Sequence, residues 1–371
     1  MALTQQQQLY ETIQKSQSPL ITFHKEATGD VVASSLALGQ LLKKWNRSPD
    51  IIAPQYELPE NLKFLEGVDK IKNHENNLKR LVVTLDHPSI KAQHVKSEEH
   101  ENKLHLIINA EDATFSRENI KITEAPHKYD LIITLNTPDL SSLEKFYENN
   151  AELFFHVPII NIDYSPGNEH YGHINLINIT ATSISEILYD LIDSFDPTLM
   201  DEHIATHLLT GMIEKTKSFK IPTITPKSLN IASRLMAAGA ERDAIIKNLY
   251  QTKSVNTLRL WGKTLLKLET DNRQKIAWAE ITEQDFLETR TDEKDLVGVL
   301  DELISNIPTV EISIVFFQKG NQLYSLIKSE KGIDLKNYFS SFNPQGPKAL
   351  IKFPFNTQKE VILGIATQII L

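Results

Sequence analysis

Short runs of Ile, Val and Leu recur along this chain, and most of them do not alternate with polar residues. Leu20 to Phe23, Ile51 to Ala53, Leu81 to Leu85, Leu104 to Ile108, Leu131 to Leu135 and Val157 to Ile162 each read as a strand bounded by polar or turn residues. Runs of this kind suit strands covered on both faces, so the pattern predicts a parallel sheet with right-handed helical crossovers. Thr4 with Gln7 predicts a capping box that opens a helix reaching about Lys15, and Pro19 then breaks the chain before the first strand. Val31 to Trp45 carries Leu36, Leu38, Leu41 and Leu42 on one broad face and reads as a helix, as does Asp139 to Asn149.

From Thr180 onwards the period changes. Ser183 to Phe195, Asp201 to Lys217, Pro226 to Ala238, Arg242 to Tyr250 and Asn256 to Leu268 are successive helical patterns joined by Pro, Gly or polar turns. Beyond Asn272, Ile276 to Ile281, Val310 to Gln318 and Leu323 to Ile327 are strand-like, the last two forming a hairpin across Lys319 to Asn321. Asp334 to Phe339 and Gln358 to Ile370 are helical. The expected organisation is an α/β domain over 1–195, a helical connector over 196–271 and a smaller mixed α/β domain over 272–371.

Composition narrows the chemistry. In 371 residues there are 39 Lys+Arg against 48 Asp+Glu, a net charge of -9, which argues against wrapping duplex nucleic acid or lying on anionic lipid by bulk charge. No Cys is present, so disulfides, Cys-ligated zinc and thiol nucleophiles are excluded. The first sixteen residues are polar and Gln-rich, and no later run approaches a membrane span, which predicts a cytoplasmic chain with no membrane partner.

Three segments carry a resemblance. The first strand-loop-helix unit reads Ile21-Thr22-Phe23-His24-Lys25-Glu26-Ala27-Thr28-Gly29-Asp30, followed by Val31 to Ser34. A later strand runs through Ile160-Asn161-Ile162-Asp163-Tyr164-Ser165-Pro166-Gly167-Asn168 to Tyr171-Gly172-His173, and a helix follows from Thr182-Ser183-Ile184-Ser185. Further pieces are Leu208 to Ile213 and Thr216 with Ser218-Phe219. In this order they resemble the DHH phosphoesterase family, in particular the branch related to RecJ and to the oligoribonuclease/phosphoadenosine-phosphate phosphatases. The resemblance implies an α/β DHH-type domain, a helical connector, a DHH-associated substrate-binding domain and a cleft between the lobes.

In that family His and Asp side chains of these motifs hold a two-metal cluster, usually Mn²⁺, which clamps the attacking and leaving oxygens of a phosphodiester. His24 and Asp30 match ligand positions, and Asp163 matches the first residue of the Asp-His-His motif. Thr28, Asn136, Tyr164, Ser165 and Lys215 stand where the other ligands belong, and Lys215 brings a cation to a place that should attract one. In the family's associated domain a Ser/Arg strand and a Gly-rich loop with a His bind substrate. Lys328, Ser329 and Gly346 occupy matching positions, while Pro344 and Pro347 remove backbone donors from the loop.

These departures imply a homologue without two-metal hydrolysis that retains nucleotide or short single-stranded oligonucleotide binding, or an interaction role as a homodimer. On this reading no cofactor is expected. The alternative is an active phosphoesterase using Mn²⁺ or Mg²⁺ on oligoribonucleotides or 3′-phosphoadenosine 5′-phosphate. His24 and Asp30 are then either a residual metal site or polar residues that fix the loop and cap a helix. Asp163 either serves catalysis or makes turn hydrogen bonds at the Pro166-Gly167 corner. Lys215, Lys217 and Lys220 with Phe219 read as a basic strip with a stacking ring, or as a solvated helix end with a core Phe. Asp86-His87-Pro88, with His105 and Asp112, reads more simply as a solvated strand end than as a metal pair.

Overall fold

A computed structural model describes residues 4–73, 78, 80–85, 95–100, 103–108, 119–125, 127–302, 304 and 307–370, and the chain divides into two units, Met1–Gln251 and Thr252–Leu371. The first unit opens with α1 (Gln5–Lys15), β1 (Pro19–Thr22), α2 (Gly29–Lys44) and β2 (Asp50–Ile52). Four strands follow, β3 (Arg80–Leu85), β4 (Val95–His100), β5 (Lys103–Ile108) and β6 (Ile120–Ala125). Next come β7 (Leu131–Leu135), α3 (Lys145–Asn149), α4 (Ala151–His156), β8 (Ile159–Asp163) and β9 (Ile174–Ile177). The helices α5 (Ile184–Phe195), α6 (Glu202–Lys215), α7 (Pro226–Ala237) and α8 (Arg242–Tyr250) complete it. The Thr4 capping box is formed as the sequence predicts.

The central sheet is parallel throughout, in the order β2-β1-β7-β8-β9. Successive residues of its strands enter two different cores. Ile21, Ile133 and Ile160 pack with Val32 of α2, Leu188 of α5 and Leu208 of α6. Leu20, Ile132 and Ile159 pack on the other face with Phe146, Leu153 and Phe154. This two-sided burial is why the strands read as unbroken apolar runs. On the second face the next residue toward the carboxyl end of each strand is polar. Thr22 pairs with Thr134, Thr134 with Asn161 and Asn161 with Asn175, a polar rung across four strands.

Two runs assigned from sequence to the parallel sheet lie outside it. Leu81 to Leu85 belongs to β3, which pairs antiparallel with β6, and Leu104 to Ile108 belongs to β5, which pairs antiparallel with β4. In β5, Lys103 and His105 alternate with Leu104 and Leu106, the period-two pattern of a one-sided ribbon, and Leu104 remains 64% exposed. His105 is exposed on this ribbon, whereas Asp86, His87, Pro88 and Asp112 lie outside the described residues. The helix expected over Asp139 to Asn149 is broken into a 3₁₀ turn, Leu140–Leu143, and the short α3, because Glu144 between them takes φ 50°.

The second unit consists of α9 (Val255–Leu266), β10 (Glu269–Thr270), β11 (Ile276–Ile281), α10 (Glu283–Thr289), α11 (Asp295–Glu302), β12 (Ile312–Lys319), β13 (Gln322–Ser329), α12 (Leu335–Tyr338), β14 (Leu350–Phe355) and α13 (Lys359–Ile369). Its mixed sheet runs β10-β11-β12-β13-β14, with only β11 and β12 parallel. Here too alternate residues divide between two cores, Ile312, Ile314 and Phe316 on one face and Val315 and Phe317 on the other.

Candidate functional site

At the carboxyl ends of β1, β7 and β8, where ligands of open parallel sheets bind, the first unit places His24, Asn136 and Asp163, with Asp30 and Lys215 on its helices. His24 follows β1 and is half-buried. Its Nδ1 accepts the Glu26 amide at 3.2 Å. Burial lowers the His24 pKa from its ordinary value.

Asp30, in the first turn of α2, is fully buried, and its carboxylate is turned toward α5. Oδ2 accepts the Ile184 amide at 2.7 Å, while Oδ1 accepts the Ser185 amide at 3.1 Å and the Ser185 hydroxyl at 2.6 Å. Asp30 thus closes the amino terminus of a helix distant in sequence, beside the cap made by Ser183. Glu214, near the end of α6, does the same for α2. Its Oε2 accepts the Asp30 amide at 3.2 Å. Thr28, at the N-cap position of α2, makes no side-chain cap, and its Oγ1 is buried without a partner.

The close approach of α2, α5 and α6 depends on Gly211. A Cβ at that position would lie 2.1 Å from Ser185 Oγ and 2.7 Å from Asp30 Oδ1. Burial raises the pKa of both Asp30 and Glu214, and hydrogen bonds from the capped helices oppose the rise. Lys215 offsets this negative charge. Its ammonium lies 5.3 Å from the centre of the Tyr164 ring. Burial works against charging Lys215, but Tyr164 and the fields of Asp30 and Glu214 outweigh it and hold its pKa above the ordinary lysine value.

Asp163, at the end of β8, is fully buried. Its Oδ1 accepts the Tyr164 amide at 2.7 Å and the Ser165 amide at 3.0 Å, and its Oδ2 accepts Asn168 Nδ2 at 2.7 Å. Asn168 extends a buried network to Asn161 at 2.8 Å, and Tyr171 reaches Thr134 Oγ1 at 2.7 Å. The sequence reading overlooked Glu214, Ser185, Asn168 and this polar rung. The available signal was a polar residue closing each apolar run, Thr22, Thr134 and Asn161.

After α6 the chain reverses through three consecutive left-handed residues, Lys217 at φ 48°, Ser218 at φ 59° and Phe219 at φ 64°. Thr216 Oγ1 steadies this turn by accepting the Phe219 amide at 3.0 Å. Phe219 packs on the core, while Lys217 and Lys220 are exposed.

In the second unit, Lys328 pairs with Glu330 at 3.1 Å, and Ser329 Oγ accepts the Ile333 amide at 3.1 Å. Gly346 takes φ 110°, and a Cβ there would meet the Leu350 carbonyl oxygen at 2.4 Å. The loop folds back on β14 through paired 2.8 Å bonds between Gln345 and Lys352.

A two-metal cluster needs carboxylate oxygens and imidazole nitrogens with free lone pairs converging on one point. The donors here do not fit that requirement. The oxygens of Asp30 and Asp163 are directed at amides and hydroxyls, the His24 ring is bonded to backbone, and a lysine ammonium stands beside them. Among the described residues no group of three or more His, Asp and Glu side chains is arranged to hold a metal ion. The site offers instead a fixed cation, a phenol and a set of capped helix ends. Among the described residues no helix is long and apolar enough to cross a membrane.

No family model matches the sequence. Over 179 residues, 48% of this chain and 53% of the relative, it is 25% identical to the bifunctional oligoribonuclease and PAP phosphatase NrnA of Thermus thermophilus. Over 221 residues, 58% of this chain and 67% of the relative, it is 23% identical to the protein of the same name from Bacillus subtilis. The chain therefore spans between half and two thirds of the length of these curated relatives. Its fold is similar to the crystal structure of an exopolyphosphatase-related protein from Bacteroides fragilis, with a TM-score of 0.68 and 17% identity, covering 98% of this chain and 94% of that one.

Proposed function

We propose that this chain, a relative of DHH-family oligoribonuclease and PAP phosphatases, binds a nucleotide or short oligonucleotide phosphate without two-metal hydrolysis. The observation that carries this reading is the Lys215 ammonium, held charged beside Tyr164 while the neighbouring carboxylates are spent on capping α2 and α5. A lysine is a point cation suited to a phosphate oxygen, and this one needs no metal to supply its charge. Asp30 and Glu214 act as positioning residues that fix the three helices around it. Asp163 holds the Tyr164-Ser165 turn, and so the phenol that accompanies the ammonium.

The oligoribonuclease and PAP phosphatase relatives suggest the ligand class, a short oligoribonucleotide or an adenosine bisphosphate. In the second unit Lys328, Ser329 and Gly346 are the residues we assign to ligand contact, with Lys328 as a further point charge. The 272–371 section is then the ligand-binding domain, following a DHH-like domain over 1–195 and a helical connector over 196–271.

The test is a turnover assay on a diribonucleotide with Mn²⁺ added, run beside a binding titration with the same compound. The expected result is saturable binding with no release of mononucleotide. Hydrolysis that depends on Mn²⁺ and disappears in Asp30→Ala would overturn the reading.

A further inference from the structure

The first unit contains a cavity at the opposite ends of the helices that build the candidate site. It has a volume of about 710 Å³ and lies between α1 and the carboxyl ends of α2 and α5. Asp30 and Ile184 begin α2 and α5, whereas Trp45 and Phe195 end them, so the two places are separated by roughly 20 Å of helix.

Three aromatic rings form one wall. Tyr10 of α1 packs edge to face on Trp45 with ring centres 5.5 Å apart, and Phe195 lies 5.2 Å from Tyr10 and 5.6 Å from Trp45. Part of this wall is accounted for by packing, since the rings tie α1 to the body of the unit. That role does not require the rings to reach solvent, yet Tyr10 is 40% exposed, Trp45 and Phe195 are only half-buried, and all three line the cavity.

Glu11 and Asp196 stand on the same cavity, and among the described residues that line it none is Lys, Arg or His; the nearby Lys44 ammonium, on the Leu199 carbonyl, is paired with Asp201 at 2.7 Å. Asp196 has one oxygen engaged by the Thr198 amide and hydroxyl, which lower its pKa and keep it ionised. Glu11 is exposed on α1. Aromatic faces attract cations through the ring quadrupole, and carboxylates beside them add directional charge. An anionic ligand would be repelled by these two acids, and a neutral one would gain no ionic attraction from them.

We propose that this cavity binds an organic cation through an ammonium or guanidinium group seated on the Tyr10, Trp45 and Phe195 wall and paired with Glu11 and Asp196. The site is independent of the phosphate reading above, because it shares no residue with it.

The experiment is a calorimetric titration of the full chain with N-acetyl-arginine amide, its neutral counterpart N-acetyl-citrulline amide, spermidine and a short Ala-Arg-Ala peptide, with Trp45 fluorescence as a second readout. The expected result is saturable binding of the cationic probes, at least about tenfold weaker binding of the citrulline compound, and a loss of about fivefold or more in Glu11→Gln, consistent with ~1 kcal/mol per desolvated cation contact. Tighter binding of spermidine than of the peptide identifies a free small cation as the source, and the reverse identifies a basic side chain of a partner. Equal binding of the arginine and citrulline compounds, unchanged affinity in Glu11→Gln, or no saturation by any cationic probe up to about 10 mM would overturn the proposal. Glu11 is surface-exposed, so Glu11→Gln leaves the fold intact, and unaltered circular dichroism checks this.

Discussion

Asp30 Oδ2 accepts the Ile184 amide at 2.7 Å, joining the first turn of one helix to the first turn of another that begins 154 residues later. The bond converts a position that resembles a metal ligand into a cap. Removing the carboxylate leaves the amides of Ile184 and Ser185 without their buried acceptor. Asp30→Ala should therefore lower stability by about 3 kcal/mol, the order expected for orphaning buried donors. Urea unfolding monitored by far-UV circular dichroism measures this, and a midpoint equal to that of the unaltered chain would contradict the capping role.

Gly211 allows α6 to lie against that cap. With a Cβ at 2.1 Å from Ser185 Oγ, something must shift, and Gly211→Ala should cost about 1–3 kcal/mol or more by overpacking. Gly262, which has nothing within 4 Å of a built Cβ, is the control. Gly262→Ala should stabilise α9 by up to about 1 kcal/mol, because Gly is a poor helix former. Thermal unfolding of the two variants should move in opposite directions, and a shared direction would count against the close helix contact.

His207 gives a pH signature. It is buried on α6 with Nδ1 unpartnered, and burial pushes its pKa from 6.5 down to about 4. The folded state then binds fewer protons than the unfolded state between those values, so stability is complete above pH 6.5 and is lost as pH falls toward 4. The loss is roughly 3 kcal/mol across the window. Denaturation midpoints between pH 4 and 7 should fall more steeply for the unaltered chain than for His207→Leu, and parallel curves would rule out His207 as the source.

Much of the fold was legible because its signals are local. Apolar runs in β1, β7 and β8 reflect burial on two faces, and the Thr4 box and the breaks at Pro19 and Pro226 mark element ends. What lay beyond reading depends on distant partners. The β3/β6 and β4/β5 pairings look like parallel-sheet strands until their cross-strand partners are known. At the candidate site, residue identity could be read at each motif position, but not which group each side chain bonds. Nothing near Asp30 in sequence reveals Ile184, and Glu214 reads as an ordinary charge at a helix end until α2 is placed above it.

Tyr164 separates a positioning role from a purely structural one. Its ring lies 5.3 Å from the Lys215 ammonium, so Tyr164→Phe should leave the fold intact while weakening phosphate binding about threefold to tenfold, the worth of about one ordinary hydrogen bond. Phosphorus NMR titration with inorganic phosphate reads this, and an affinity equal to that of the unaltered chain would remove Tyr164 from the site.

The central claim is that a fixed lysine, not a metal pair, supplies the positive charge at the ends of β1, β7 and β8. Calorimetric titration with 3′-phosphoadenosine 5′-phosphate in the presence of EDTA tests it most directly, comparing the unaltered chain with Lys215→Met. Binding should persist in the chelator and fall by about tenfold or more in Lys215→Met, with a salt dependence that shrinks in the variant. Binding that requires added Mn²⁺, or that survives Lys215→Met unchanged, would contradict the account.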